Sequence, residues 1–381
     1  MEKWLEIDTV AIQNNIKEIK KIIGPDVLLM VVVKANAYGH GIERVAHNAW
    51  MARADWLGVN SFEEAQILLA KKTKLPILIL GYVDPQNYPA IVEEGLRLSI
   101  DRIERLTQIA QIAKMRGKKV KIHLKIDSGM SRWGAMPDAV AELAQEILDF
   151  PSIELEAVYT HFGRDERKNR FSQECILEQL NDFNSTLFRL QRANIKVPMI
   201  HAAASSSLLT CPKARFDMVR SGIMVYGLSP FGDITIDEAR KKSVLPEINL
   251  KPALSFKTKI VRIKKIPKGS CVSYGCTHQV EKDSILAILP VGYSDGYDRR
   301  LSNKAEVIVR AKRAPVIGRI SMNYTIIDVT GIPVTKLGDE VILIGSQERE
   351  EVRAEELAKH IGTISYEIVT RIPSSIKRIY K

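Results

Sequence analysis

From Asp8 to about Tyr226 the chain repeats one unit: an apolar segment of strand length, a polar or glycine turn, then a segment with helical spacing. The strand candidates are Leu28 to Val33, Trp56 to Asn60, Ile77 to Gly81, Leu96 to Ile100, Val120 to Ile126, Ile153 to Tyr159, Val197 to His201 and Met218 to Val225. Runs such as Ile103, Leu106, Ile109, Ala110 and Ala113 supply the helices between them, and most gaps suit a strand-helix-strand crossover. Eight parallel strands separated by helices close into a barrel, so the expected fold is α/β, a (β/α)8 TIM barrel. A doubly wound open sheet is the alternative. It needs a glycine-rich phosphate loop after an early strand, and the first strand here runs instead into Lys34-Ala35-Asn36.

Beyond Pro230 the grammar changes. Lys251 to Ile266, Ser284 to Val291, Ala305 to Val309, Ile317 to Val329 and Val341 to Gly345 read as strands, and only Arg353 to Ile361 reads as helix. The expected organisation is a barrel over residues 1–240 followed by a mostly β domain over 241–381, joined near Ile236 to Pro246. Residues 1–7 precede the first barrel helix and have two possible homes, the barrel or the β domain.

A chain of 381 residues with 45% apolar content has enough material for two cores. The N-terminus carries acids where a secretory signal needs an apolar run, and Val27 to Val33 is too short to cross a bilayer, so a cytoplasmic protein with no membrane partner is expected. Cys175, Cys211, Cys271 and Cys276 show neither CxxC spacing nor a nearby histidine at metal-ligand spacing, which points to reduced thiols and no metal site. The net charge of +11 raises the question of nucleic acid. Its densest run, Lys257 to Lys268, alternates with apolar residues as a strand with one wet face does, and no nucleic-acid motif accompanies it. A positive surplus also draws in a phosphate-bearing cofactor or a carboxylate substrate.

The chemistry concentrates in Val33-Lys34-Ala35-Asn36-Ala37-Tyr38-Gly39-His40-Gly41. A lysine at the C-terminal end of a buried strand sits where barrel enzymes keep their active sites, and burial favours the neutral amine that attacks a carbonyl to form a Schiff base. The string resembles the pyridoxal-phosphate attachment motif of alanine racemases, and the resemblance extends over essentially the whole chain. It implies that Lys34 holds pyridoxal 5'-phosphate and that Tyr38 contacts its phosphate. Lys125 to Gly134 resembles the strand and loop whose arginine, here Arg132, reaches the cofactor hydroxyl and the substrate carboxylate, a task suited to a planar, permanently charged fork. Lys125 stands where several family members carry a carbamylated lysine.

By the same resemblance His161 lines the cofactor ring, Ser205 holds phosphate with the amides of Gly222 and Ile223, and Tyr366 guards the mouth. Arg220 faces the pyridine nitrogen. An arginine there cannot protonate the ring as an acid would, so the ring is a weaker electron sink and simple reprotonation of a short-lived carbanion dominates. Arg220 for the same reason disfavours a decarboxylase. Val272 to Thr277 matches the string whose tyrosine, here Tyr274, is the second base and works in the other subunit's site, aided by a relay of His161 and Arg220. Tyr293 resembles the gate residue, and Met322 the residue whose amide binds substrate carboxylate. Ala204, Ser321 and Asn323 depart from the family strings.

The resemblance therefore implies an enzyme, an isomerase interconverting L- and D-alanine by two-base catalysis and supplying D-alanine for peptidoglycan. It also implies a homodimer with shared active sites. A broader racemase acting on serine or lysine, and a barrel that binds pyridoxal phosphate without turnover, are the alternatives.

Overall fold

The computed structural model describes residues 1–163 and 171–381; the Cys175 side chain lies outside the described residues. After a short first strand, β1 (Lys3–Ile7), eight parallel strands follow: β2 (Leu28–Val32), β3 (Trp56–Val59), β4 (Ile77–Ile79), β5 (Arg97–Ile100), β6 (Val120–Lys125), β7 (Ile153–Tyr159), β8 (Ile200–Ala204) and β9 (Met218–Ser221). They pair in sequence order, and β9 returns to β2 with Val219 opposite Leu29 and Arg220 opposite Met30, which closes the expected barrel. Two segments differ from the sequence expectation. Pro198 has no N–H for a ladder, so β8 starts at Ile200 rather than Val197; and β9 stops at Ser221, where Gly222 turns the chain into a short 3-10 segment, Ile223–Tyr226.

Alternation along the strands divides the apolar residues. Met30, Trp56, Leu78 and Met218 form a closed cluster of their own, while Leu29, Val31, Leu57, Ile79 and Leu98 belong to the larger core that includes the helices. The helix Thr9–Ile23 shows how the outer ring is seated. Asp8 caps its N-terminus by accepting from Ala11 N–H at 2.8 Å, and Ile12, Ile16 and Ile19 are fully buried on one face. Asn15 on that face donates to the Val225 and Lys251 carbonyls and accepts from Lys251 N–H, fastening the helix to the chain as it leaves the barrel.

The remaining strands are β10 (Leu254–Lys259), β11 (Arg262–Ile266), β12 (Ser284–Leu289), β13 (Glu306–Val309), β14 (Lys312–Pro315), β15 (Thr325–Asp328), β16 (Glu340–Gln347), β17 (Glu350–Val352) and β18 (Arg378–Tyr380). One sheet runs β14-β13-β16-β10-β1-β18 with β17 on β16, and a second runs β11-β12-β15. The first strand thus joins the C-terminal sheet, antiparallel to β10 and parallel to β18. The segment expected as one strand from Lys251 to Ile266 is two strands in different sheets, because the chain leaves the β10 ladder after Lys259. Ile317 to Val329 is mostly loop, turned by Gly318 at φ +70°, with only Thr325–Asp328 extended. Two helices escape sequence reading: Ile236–Arg240 inside the expected join and Ser365–Thr370 after Ala354–Ile361.

The expectation of reduced thiols is overturned at one pair. Cys271 and Cys276 form a disulfide, their Cα atoms 4.9 Å apart. The intervening loop doubles back through Ser273 at φ +61° and Gly275 at φ +74°, which brings together cysteines that share no recognisable spacing motif. Cys211 is buried. Among the described residues no cluster of histidine, cysteine or acidic side chains could hold a metal, and no helix is long and apolar enough to cross a membrane.

The exit from the barrel is the tightest backbone approach in the fold. Gly227 has φ +79°, and a Cβ there would lie 1.8 Å from the Lys251 carbonyl oxygen. Gly227→Ala should lower unfolding stability by about 2–4 kcal/mol, measured by urea titration, because strain and a backbone clash add.

Candidate active site

The C-terminal ends of the barrel strands open into a cavity of about 770 Å³. Lys34, Tyr38, Lys125, Arg132, His161, Ser205, Arg220, Gly222, Ile223 and Tyr366 all line it.

Lys34 lies one residue beyond the end of β2, after Val33, and is half-buried. Burial lowers its ammonium from the usual range, the Arg132 charge adds to this, and the Glu64 charge acts the other way. The residues after it form a left-handed turn, with Ala35, Asn36, Ala37 and Tyr38 at φ of 52°, 53°, 53° and 53°. Such a turn costs L-residues roughly 1–2 kcal/mol each, so its surroundings must over-determine it. His40 Nδ1–H donates to the carbonyls of Ala37 and Tyr38 at 3.1 and 2.9 Å, and Asn36 Oδ1 accepts from Ile42 N–H at 3.0 Å. From behind, the C-terminal domain presses close. A Cβ at Gly39 would meet the Val369 carbonyl at 2.4 Å, and one at Gly41 the Tyr380 hydroxyl at 2.0 Å.

The turn delivers the Tyr38 ring to the cavity, tilted against Tyr226 with ring centres 5.0 Å apart and 6.1 Å from the Tyr366 ring. Its hydroxyl stands where a Cβ on Gly222 would be only 2.5 Å away. Ser205 Oγ accepts from Gly222 N–H at 3.2 Å and meets Ser221 Oγ at 3.2 Å. Hydroxyls and amides thus converge on one corner, as an oxyanion requires.

Arg220, near the end of β9, is buried, and among the described residues no carboxylate forms an ion pair with it. Its NH2 donates to the carbonyls of Thr160 and Ala202 at 2.7 and 2.9 Å and to His161 Nδ1 at 3.3 Å, and its NH1 donates to His201 Nδ1 at 2.8 Å. Burial brings its guanidinium down to about 10, still well above neutrality. Burial and the Arg220 charge hold His161 and His201 well below the usual imidazole range, so both are neutral. The donor pattern then fixes a chain of tautomers. Because His201 Nδ1 accepts from arginine, its Nε2–H donates to His123 Nδ1 at 2.9 Å, and His123 Nε2–H donates to Glu156 at 3.2 Å.

Lys125, at the end of β6, lies 5.7 Å from the Tyr159 ring; burial and the charges of Arg220 and Arg132 bring its ammonium down to about 8. Arg132 itself is exposed, on a loop whose amides at Gly129, Met130 and Ser131 all donate to Asp127 Oδ1.

Tyr274, Tyr293 and Met322 do not join this cavity. They are 70%, 41% and 54% exposed on the C-terminal domain. Their loops interlock: Ser273 Oγ donates to the Arg319 carbonyl, and Tyr293 N–H and Ser294 N–H donate to the carbonyls of Ser321 and Met322. Sequence reasoning missed Glu64, His123, Glu156 and Tyr159. Glu64 alone left a local signal, as the fourth residue of Ser61-Phe62-Glu63-Glu64, a capping-box pattern.

Residues 7–230 match the model of the alanine racemase N-terminal domain, and residues 253–380 that of the C-terminal domain. The chain belongs to the alanine racemase family. Among its relatives, alanine racemase of Symbiobacterium thermophilum is 40% identical over 99% of this chain and 96% of its own length. That of Desulfovibrio desulfuricans is 36% identical over 99% and 97%. The solved alanine racemase of Clostridium difficile 630 superposes with a TM-score of 0.88 at 32% identity, covering 100% of this chain and 96% of that one. The Bacillus anthracis enzyme with bound L-Ala-P gives 0.89 at 35%, covering 100% and 95%.

Within this family member, the buried relay behind Arg220 has a pH signature. Burial pushes the Glu156 carboxyl up, but hydrogen bonds from His123 and Lys121 and the Arg97 charge outweigh it and bring it down to about 2. A depressed carboxyl contributes stability above its unfolded value of about 4.5, lost as pH falls toward 2. Glu156→Gln should therefore be less stable than the parent at pH 7 by about 1–3 kcal/mol in urea titrations. The gap should close as pH falls below about 4.5.

Proposed function

We propose that the protein is a pyridoxal-phosphate-dependent racemase that interconverts L- and D-alanine. The observation that carries this reading is the meeting, in one cavity, of a strand-end amine at Lys34, a buried cation at Arg220 held by carbonyls and imidazoles, and an oxyanion corner formed by Tyr38, Ser205 and Gly222. These residues fit the cofactor. Lys34 supplies the amine, Ser205 and the Gly222 and Ile223 amides the phosphate cradle, and Tyr38 and Tyr366 the hydroxyls above it. Bound pyridoxal phosphate supplies an electron-withdrawing ring that acidifies the α-hydrogen of an attached amino acid.

The chain's own residues do the rest. Arg132 binds the substrate carboxylate from a loop held by Asp127. Arg220 stays charged and offers no acid to the ring nitrogen; His161 and His201, kept neutral, accept from it and hold it in place. Lys34 Nζ takes the proton of D-alanine from one face of the α-carbon, and in the reverse direction delivers a proton to that same face. Racemisation needs a second acceptor on the opposite face, because a single base would restore the starting enantiomer. Tyr274 is that base, removing the proton of L-alanine. It is exposed and outside its own chain's cavity, so it serves the cavity of a second copy, and the interlocked loops of Tyr274, Tyr293 and Met322 form the surface that covers the partner's mouth. The Met322 amide meets substrate carboxylate there, with Tyr293 at the rim. Lys125, already drawn toward its neutral form, is suited to carbamylation by carbon dioxide, which would give an anion facing Arg132.

Incubation with L-alanine and pyridoxal phosphate should yield D-alanine on chiral chromatography until the two enantiomers are equal; persistence of pure L-alanine would overturn the reading, and faster turnover of L-serine or L-lysine would shift the substrate. In a separate test, inactive Lys34→Ala and Tyr274→Phe chains are mixed under subunit exchange. Activity should return to at most one intact site per mixed dimer, since one composite site holds both native bases and the other neither.

A further inference from the structure

The strand ladder between β2 and β3 ends where Val33 N–H donates to the Gly58 carbonyl at 2.8 Å. The next amides available at this rim, Ala35 N–H and Asn60 N–H, have no strand partner, and both turn to one carboxylate. Glu64 Oε1 accepts from Ala35 at 2.6 Å and Oε2 from Asn60 at 2.7 Å. Glu64 is the third residue of the helix Phe62–Ala70, whose cap Ser61 accepts from Glu64 N–H. In an ordinary capping box the glutamate returns to the amide of the cap residue itself. Here it reaches one residue further back with one oxygen and crosses to the neighbouring strand with the other.

We propose that Glu64 is a positioning residue for Lys34, clamping the ends of β2 and β3 with its carboxylate and setting a negative charge against the cations around the strand-end amine. Ala35 directly follows Lys34 and is the first residue of the left-handed turn, so the clamp fixes the backbone from which the amine projects. Hydrogen bonds from amides to an ionised acceptor are about twice as strong as neutral ones, which suits them to hold a strained turn. Among the described residues no lysine or arginine forms an ion pair with Glu64, which leaves its charge directed to these amides and to the field at Lys34, where it opposes the effects of burial and Arg132.

The inference rests on the reading that Lys34 carries the cofactor, and the experiment tests the two separately. Cofactor-free parent, Glu64→Gln and Glu64→Asp proteins are mixed with pyridoxal phosphate across a pH series, reduced with borohydride and mapped by mass spectrometry. Attachment joins the lysine nitrogen to the aldehyde carbon with loss of water, and hydride then makes it permanent. A parent adduct away from Lys34 would end the cofactor reading whatever Glu64 does. With the adduct at Lys34, Glu64→Gln should move the pH midpoint of labelling down by roughly one unit, since the neutral amine then persists to lower pH. Glu64→Asp keeps the charge and so the midpoint, but it is too short to reach both amides; its kcat should fall about tenfold with KM little changed, a loss of orientation. A parent-like midpoint in Glu64→Gln, or a Glu64→Asp protein with kcat within twofold of the parent, overturns the proposal, and the second criterion decides alone if the glutamine protein does not fold.

Discussion

The architecture of the site depends on a buried cation with no anion beside it among the described residues. Desolvating a guanidinium costs several kcal/mol unless its donors are satisfied, and Arg220 meets that demand with the carbonyls of Thr160 and Ala202 and the ring nitrogens of His161 and His201. Two partners directly follow β7 and two belong to β8, so the arginine, carried on β9, draws three neighbouring strands to a common geometry. It also dictates which nitrogen of each histidine carries hydrogen, down to Glu156, where the only carboxylate of the relay lies. The negative charge is thus kept at a distance. An acid beside Arg220 would neutralise the charge that distinguishes this cavity.

The left-handed turn after Lys34 presents the converse problem, a backbone that is unfavourable and must be held from several sides. His40, Asn36 and Glu64 hold it from within the barrel, and the backbone of the helix Ser365–Thr370 together with Tyr380 presses on it from the C-terminal domain. The two glycines of the motif are explained by that contact. Gly39 and Gly41 leave room for the other domain as well as adopting positive φ, so the motif that carries Lys34 is also a domain-docking motif.

Much of this was legible in the sequence. The βα repeat led to a closed barrel because its strands are short apolar runs separated by amphipathic segments, a pattern set by local residues. The residues of the cavity were reachable through motif resemblance. What escaped was whatever depends on contacts distant in sequence. The pairing of β1 with β10 and β18 leaves no local mark, and the split of Lys251 to Ile266 is invisible because basic and apolar residues alternate on both sides of it. The Cys271–Cys276 bridge follows from positive φ values within its loop, and Glu156 resembles any strand glutamate until His123 is seen beside it.

The placement of β1 has a consequence in time. Leu5 lies opposite Phe256 on one side and Arg378 on the other. On a ribosome the strand made first would meet its neighbours only after two-thirds of the chain and then almost all of it had been synthesised. Contacts of such sequence separation are slow to form, because a long loop must close before they are rewarded. Apart from the closing pair of β9 with β2, the barrel strands each pair with their immediate successor and have no such wait. The ladder of β1 with β18 thus joins segments far apart in sequence, so the C-terminal sheet is complete only after the barrel between them has been made.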